Sequence, residues 1–170
     1  MTNLELINSC VSCTVALYEE VNIDDFGRVL GLRNQFDVIR IPGARLNNLA
    51  LDIHFNIIGL KTAGLDIFAS GVEELNVEVW IKKCSEDENN RLACPLHKTV
   101  IPLDKYYKYT GFPKFKDYKL VVNMTNGIDF EPLGTENILG EYVIFCKIRD
   151  NKDTESEDYV IKGATNLNIV

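Results

Sequence analysis

Two cysteine-containing pairs have the spacing of metal ligands: Cys10-x-x-Cys13 and Cys94-x-x-His97. Together they would supply four zinc ligands, because thiolates and a neutral imidazole in tetrahedral array are what structural zinc requires. The flanking sequence argues the other way. Cys10 and Cys13 fall in or beside an alternating run, where residues three apart point to opposite faces of a strand. Ligand pairs of this kind sit on tight turns, usually beside glycine, and Cys10-Val11-Ser12-Cys13 has none. Nor does it open a helix after a strand, as a redox pair does. Cys84 and Cys146 read as packing residues, since free cysteine behaves as a small hydrophobe. The zinc site is kept as the alternative reading, and no metal or cofactor is expected.

Catalytic constellations are thin. There are only two histidines. His54 stands on the polar side of a run beside Asp52 and Asn56, where a solvated imidazole is the ordinary outcome, and His97 falls in a loop. No Gly-x-Ser-x-Gly elbow appears, and no phosphate-cradling glycine loop. The chain is expected not to be an enzyme. Calcium attachment of a C2-like kind is a further alternative, resting on the acidic runs Glu86-Asp87-Glu88 and Asp150, Asp153, Glu155, Glu157 and Asp158. Calcium needs six to eight oxygens in a cage, and these runs lack the Asp-x-Asp pairs that commonly build one.

Two surfaces carry more promise for binding. The segment Lys105–Lys116 interleaves Lys105, Lys108, Lys114 and Lys116 with Tyr106, Tyr107 and Tyr109, and stands out in a chain of net charge −7. It would meet an acidic partner, or cap one end of the fold with its rings while the lysines stay wet. Trp80, the single tryptophan, alternates outward with Glu78 and Lys82. An exposed indole on a flat sheet calls for a cover: the Tyr106–Lys119 segment, a second subunit or a partner. The expected partner is a protein, self-association included.

The elements that hold these residues are strands. Leu49, Leu51, Ile53, Phe55 and Ile57 alternate with polar or small residues, as do Leu75, Val77, Val79 and Ile81, and Tyr118, Leu120, Val122 and Met124. A one-residue slip would bury charge, which specifies register. Further strands are expected at Cys10–Glu20, Val29–Ile39, Thr99–Leu103, Glu141–Arg149, Tyr159–Lys162 and Leu167–Val170. One or two short helices would lie at Thr62–Ser70 and Leu103–Tyr109. Asn126-Gly127, Pro42-Gly43 and Asp150-Asn151 are turn chemistry. The expected fold is all-β: one antiparallel sandwich over residues 1–170, Ig-like or C2-like, with about seven to nine strands.

Composition agrees. A chain of 170 residues that is 46% hydrophobic can bury a core without a disulfide or metal staple. The acidic balance disfavours nucleic acid, whose binding rests on neutralising phosphates. The N-terminus MTNLELINSC lacks a basic run leading into an apolar one, and Leu49–Leu60 is interrupted by Asp52, His54 and Asn56, so neither a signal nor a transmembrane segment is expected. Five cysteines, an odd number, fit free thiols in a reducing compartment. The reading is cytoplasmic.

The run VNIDDFGRVLGL at Val21–Leu32, then Ile41-Pro42-Gly43, LALDIHFNI at Leu49–Ile57 and LGEYVIFCKI at Leu139–Ile148 resembles a family of uncharacterised prokaryotic proteins of immunoglobulin-like build. A glycine–basic hairpin near the start and a Gly-x-Tyr strand near the end carry the resemblance, which spans roughly Val11 to Lys162. The long Tyr106–Lys119 segment departs from the family's short connection. The resemblance implies a sandwich and transfers no activity. The function it leaves is a non-enzymatic binding or assembly module of prokaryotic or phage type.

Overall fold

Period-two burial along Leu49–Gly59, with Leu51, Ile53, Phe55 and Ile57 fully inside, sets the frame around which the other elements are laid. The structure is a computed structural model that describes residues 1–26, 28–40, 49–59, 64–84, 93–103, 114–124, 128, 138–153 and 157–170. In chain order the described elements are α1 (Asn3–Cys10), β1 (Val11–Ile23), β2 (Val29–Phe36), β3 (Val38–Ile39), β4 (Leu49–Gly59), β5 (Glu74–Lys83), β6 (Ala93–Pro102), β7 (Lys114–Met124), β8 (Gly140–Asp150) and β9 (Val160–Ile169).

The strands form two sheets, one ordered β2-β1-β4-β7 and the other β3-β9-β8-β5-β6. All pairs are antiparallel except β3 with β9. Inward residues of both sheets join one hydrophobic cluster, with Leu17, Ile53 and Phe55 from the first and Val77, Val79, Ile81, Ile144 and Ile148 from the second. This is an all-β sandwich, as alternation required. Tyr118 strengthens one side: it projects from β7, and its hydroxyl donates to the Pro102 carbonyl at the end of β6, bridging the sheets.

Several boundaries differ from those expected. Cys10 belongs to a helix, because Thr2 and Glu5 form a capping box: the Thr2 hydroxyl accepts from the Glu5 amide at 3.2 Å and a Glu5 carboxylate oxygen from the Thr2 amide at 2.7 Å. That box satisfies two of the helix's orphan donors, and Leu6, Ile7 and Cys10 are buried on one face. Val29–Ile39 is two strands. The chain leaves the first sheet after Phe36, and β3 joins β9 in the second, the Asp37 carbonyl accepting from the Asn168 amide at 2.7 Å.

Thr99–Leu103 begins earlier, at Ala93, because a bulge opposite Val79 and Trp80 breaks the alternation that would have revealed it. Pro95 is tolerated there, since β6 is an edge strand. Tyr159–Lys162 and Leu167–Val170 merge into the single strand β9, interrupted only by a bulge at Gly163. Of the helix expected at Thr62–Ser70, Gly64 lies in a 3-10 turn and residues 67–71 form turns, and Asp66 accepts from the Phe68 amide at 3.0 Å. The one expected at Leu103–Tyr109 lies, apart from Leu103, outside the described residues. No helix among the described residues is long and apolar enough to cross a membrane.

Candidate functional site

The parity of β5 sends Leu75, Val77, Val79 and Ile81 into the core and Glu78, Trp80 and Lys82 to the outer face. Strand register then builds rows across that face. One row runs Lys98–Glu78–Lys147–Ile161, and the next runs Pro95–Trp80–Phe145–Ala164. A charged row thus lies directly beside an aromatic one, and long side chains on adjacent rows reach each other.

Trp80 is half-buried, and the side chains that hold it come from its own chain. Its indole N–H donates to a Glu78 carboxylate oxygen at 3.0 Å, while the other oxygen of Glu78 pairs with Lys98 at 3.3 Å. The ammonium of Lys147 stands 3.8 Å from the centre of the Trp80 ring and 4.1 Å from that of Tyr159. One cation is therefore held by two π faces, the arrangement that desolvation makes strongest. Burial pushes the Glu78 carboxyl up, but the hydrogen bonds from Trp80 and Lys98 outweigh it and hold the group below the usual glutamate range. Around this framework the apolar residues are open: Ile161 is 57% exposed, and Tyr159 and Val100 are each 42% exposed.

Of the other expected surface, Lys114 and Lys116 fall within the described residues. Lys105, Tyr106, Tyr107, Lys108 and Tyr109 lie outside the described residues. Lys114 opens β7, and Lys116, on the same strand, places its ammonium 5.0 Å from the Tyr118 ring. β7 belongs to the four-stranded sheet and Trp80 to the five-stranded one, so these lysines and the tryptophan stand on separate layers.

The four residues weighed as zinc ligands are dispersed. Cys10 ends α1 and its thiol donates to the Leu65 carbonyl at 3.2 Å. Cys13 lies on β1 across from Phe55, and Cys94 and His97 pair with Ile81 and Val79 on the edge of the other sheet. Among the described residues no three histidine, cysteine or acidic side chains gather as a metal site. Asp150, weighed for calcium, turns inward: its carboxylate accepts from the Asn3 side chain at 2.8 Å and from the Lys152 amide at 3.0 Å. Glu86, Asp87, Glu88 and Glu155 lie outside the described residues. His54 stays half-exposed on the outer face of β4, 3.6 Å from Asp117, and Asp52 pairs with Lys119 at 3.1 Å.

Sequence reasoning missed Lys147 and Tyr159, the residues that brace Trp80. The signal for Lys147 was parity alone: it is the one cation within Tyr142–Ile148, a run otherwise apolar and read as covered on both sides. Which strand would lie beside β5 could not be read from either segment by itself.

An open concavity lies on the outer face of the four-stranded sheet, where the β1–β2 hairpin extends beyond β4. It measures about 590 Å³ between Tyr18, Leu30, Asp52, Lys119 and Val121. Phe26 and Leu30 on that hairpin are 84% and 71% exposed. No protein-family model matches the chain, and no curated protein sequence matches it significantly.

Proposed function

We propose that the chain is a non-enzymatic binding or assembly module, of prokaryotic or phage type, that takes a protein partner on the outer face of its five-stranded sheet. The observation that carries this reading is the braced Trp80 bordered by exposed Ile161, Tyr159 and Val100. A tryptophan already fixed by Glu78 and Lys147 loses little rotamer freedom on binding, and rigid aromatic anchors of this kind dominate interface energies. The face also reverses the chain's charge balance. Lys82, Lys98, Lys147 and Arg149 project from it against Glu74, Glu78 and Glu141, whereas the whole chain carries −7. A partner with an apolar patch and an acidic rim complements it. The same overall charge weighs against nucleic acid.

The immunoglobulin-like assignment is part of the proposal. Tyr142 is fully buried at the start of β8, and its hydroxyl donates to the Ile138 carbonyl, four residues upstream, at 2.8 Å. Immunoglobulin-type sandwiches carry a tyrosine corner of this kind. The free thiols of all five cysteines support a cytoplasmic setting.

The test compares wild-type protein with Trp80→Ala and Ile161→Glu as bait in the native host's extract, alongside light scattering of each. A partner, or a dimer, retained by the wild type at low salt and lost from both variants with the strand spectrum intact supports the reading. Unchanged partners and unchanged oligomeric state in both variants would exclude this face.

A further inference from the structure

Alternation places Cys13 on the inward side of β1, opposite Phe55, and Cys146 on the inward side of β8, opposite Val79. The two strands belong to different sheets, yet their Cα atoms come within 8 Å. The reason lies in β9. Its pairing with β8 shifts between Phe145 and Cys146, so that Ala164 faces the first and Lys162 the second, and Gly163 between them takes a φ of +56°. Lacking a side chain there, β9 lets β1 approach until a Cβ on Gly163 would stand 2.7 Å from the Cys13 sulfur and 2.9 Å from its carbonyl oxygen. The sheets are pinched together at this point.

The pinch brings two thiols near each other. The Cys13 sulfur lies over Gly163, and Cys146 stands across the ladder from that same bulge. Cys146 is fully buried, whereas Cys13 is only partly so. The remaining cysteines are engaged or placed otherwise: Cys10 donates to Leu65, Cys94 faces Ile81 across the β5–β6 ladder, and Cys84 is exposed.

We propose that Cys13 and Cys146 form a dithiol site that closes to a disulfide between the two sheets when the protein meets a small-molecule disulfide of the glutathione type. A disulfide needs two inward-facing cysteines on closely approaching backbones, and the missing side chain at Gly163 is what lets β1 come that near. The half-accessible Cys13 thiolate attacks one sulfur of the small disulfide. The small S–S bond breaks, one small thiolate departs, and Cys13 carries a mixed disulfide. Cys146 then loses its proton and attacks the Cys13 sulfur. The protein S–S bond forms, the second small thiol leaves, and two electrons have passed from the protein to the oxidant. The neighbouring Cys13 and burial both hold the Cys146 thiol above the usual cysteine range. Full burial keeps outside reagents from it, so the sulfur within its reach is that of Cys13. The product closes a loop of most of the chain, which constrains the unfolded state strongly.

The experiment uses the full chain with Cys84→Ser, which removes the exposed thiol that would join molecules, and oxidised glutathione as the probe. Intact mass should fall by two hydrogens, and a peptide map should join Cys13 to Cys146. The thermal midpoint should rise by about 10 °C and return on reduction. In Cys146→Ala the reaction should stop with glutathione on Cys13. The proposal is overturned if Cys13 keeps glutathione in the presence of Cys146, if the map joins other cysteines, or if no thiol reacts. The peptide map of the otherwise native chain decides the matter even where Cys146→Ala fails to fold.

Discussion

Lys147 holds its ammonium 3.8 Å from the centre of the Trp80 ring, reaching from β8 to the neighbouring β5 on the outer face of the sheet. Tyr159 closes the far side at 4.1 Å. A cation placed this way is attracted by both ring quadrupoles and shields the rings from water. Lys147→Met keeps most of the aliphatic stem and removes the charge. It should destabilise the protein by about 1 kcal/mol, measured by urea unfolding. A double-mutant cycle with Trp80→Leu should return coupling of similar size, since the residues are in contact. Independent effects would mean that the stem alone supplies the packing.

Because Trp80 is the only tryptophan, its fluorescence reports on this site without interference from another indole. The Glu78 carboxylate that accepts its N–H is held below the ordinary value of 4.5. Burial opposes this, and the hydrogen bonds from Trp80 and Lys98 prevail. A depressed folded value means that the unfolded chain takes up the proton first. The contribution to stability is therefore fully present above pH 4.5 and fades as pH falls through the folded value. Emission should change with a midpoint below pH 4.5, and Glu78→Gln should flatten that titration. A midpoint at or above 4.5 would show that burial dominates.

What the sequence revealed and what it hid divide along one physical line. Burial parity is local, so the faces of β4, β5 and β7 and the outward direction of Trp80 were legible from side-chain order. Pairing across strands is not local, so Lys147 and Tyr159 became visible only once β8 was seen to lie beside β5 and β9 beside β8. Bulges hid the rest: the one opposite Trp80 concealed the first half of β6, and the one at Gly163 made β9 look like two strands. The helix was announced by Thr2-x-x-Glu5, a capping signal overlooked because the run that follows it is short.

The Tyr142 hydroxyl is a buried donor with a specific acceptor, the Ile138 carbonyl at 2.8 Å. Tyr142→Phe retains the ring and its contact with the Lys83 ammonium, 5.7 Å from its centre. The carbonyl would be left without this donor, at a cost of about 1–2 kcal/mol. Urea unfolding should show a lower midpoint with an unchanged slope, because the surface exposed on unfolding stays the same. A change of slope would mean that the corner organises more of the chain than one hydrogen bond.

Gly163 and Gly71 offer a controlled comparison of two ways in which a glycine is required. Both have positive φ, +56° and +89°, and alanine pays a backbone penalty at either, about 1 kcal/mol. At Gly71 an added Cβ meets nothing within 4 Å. At Gly163 it would meet the Cys13 sulfur at 2.7 Å and the Cys13 carbonyl oxygen and carbon at 2.9 and 3.0 Å. The sulfur can swing aside, but the backbone of β1 cannot move without disturbing its ladder with β4, which pairs Cys13 with Phe55. Overpacking of this kind adds about 1–3 kcal/mol. Gly71→Ala should therefore lower stability by about 1 kcal/mol and Gly163→Ala by about 3 kcal/mol, both read from denaturant unfolding. Equal losses would mean that backbone conformation alone demands glycine at Gly163, and that β1 and β9 approach less closely than the pinch requires.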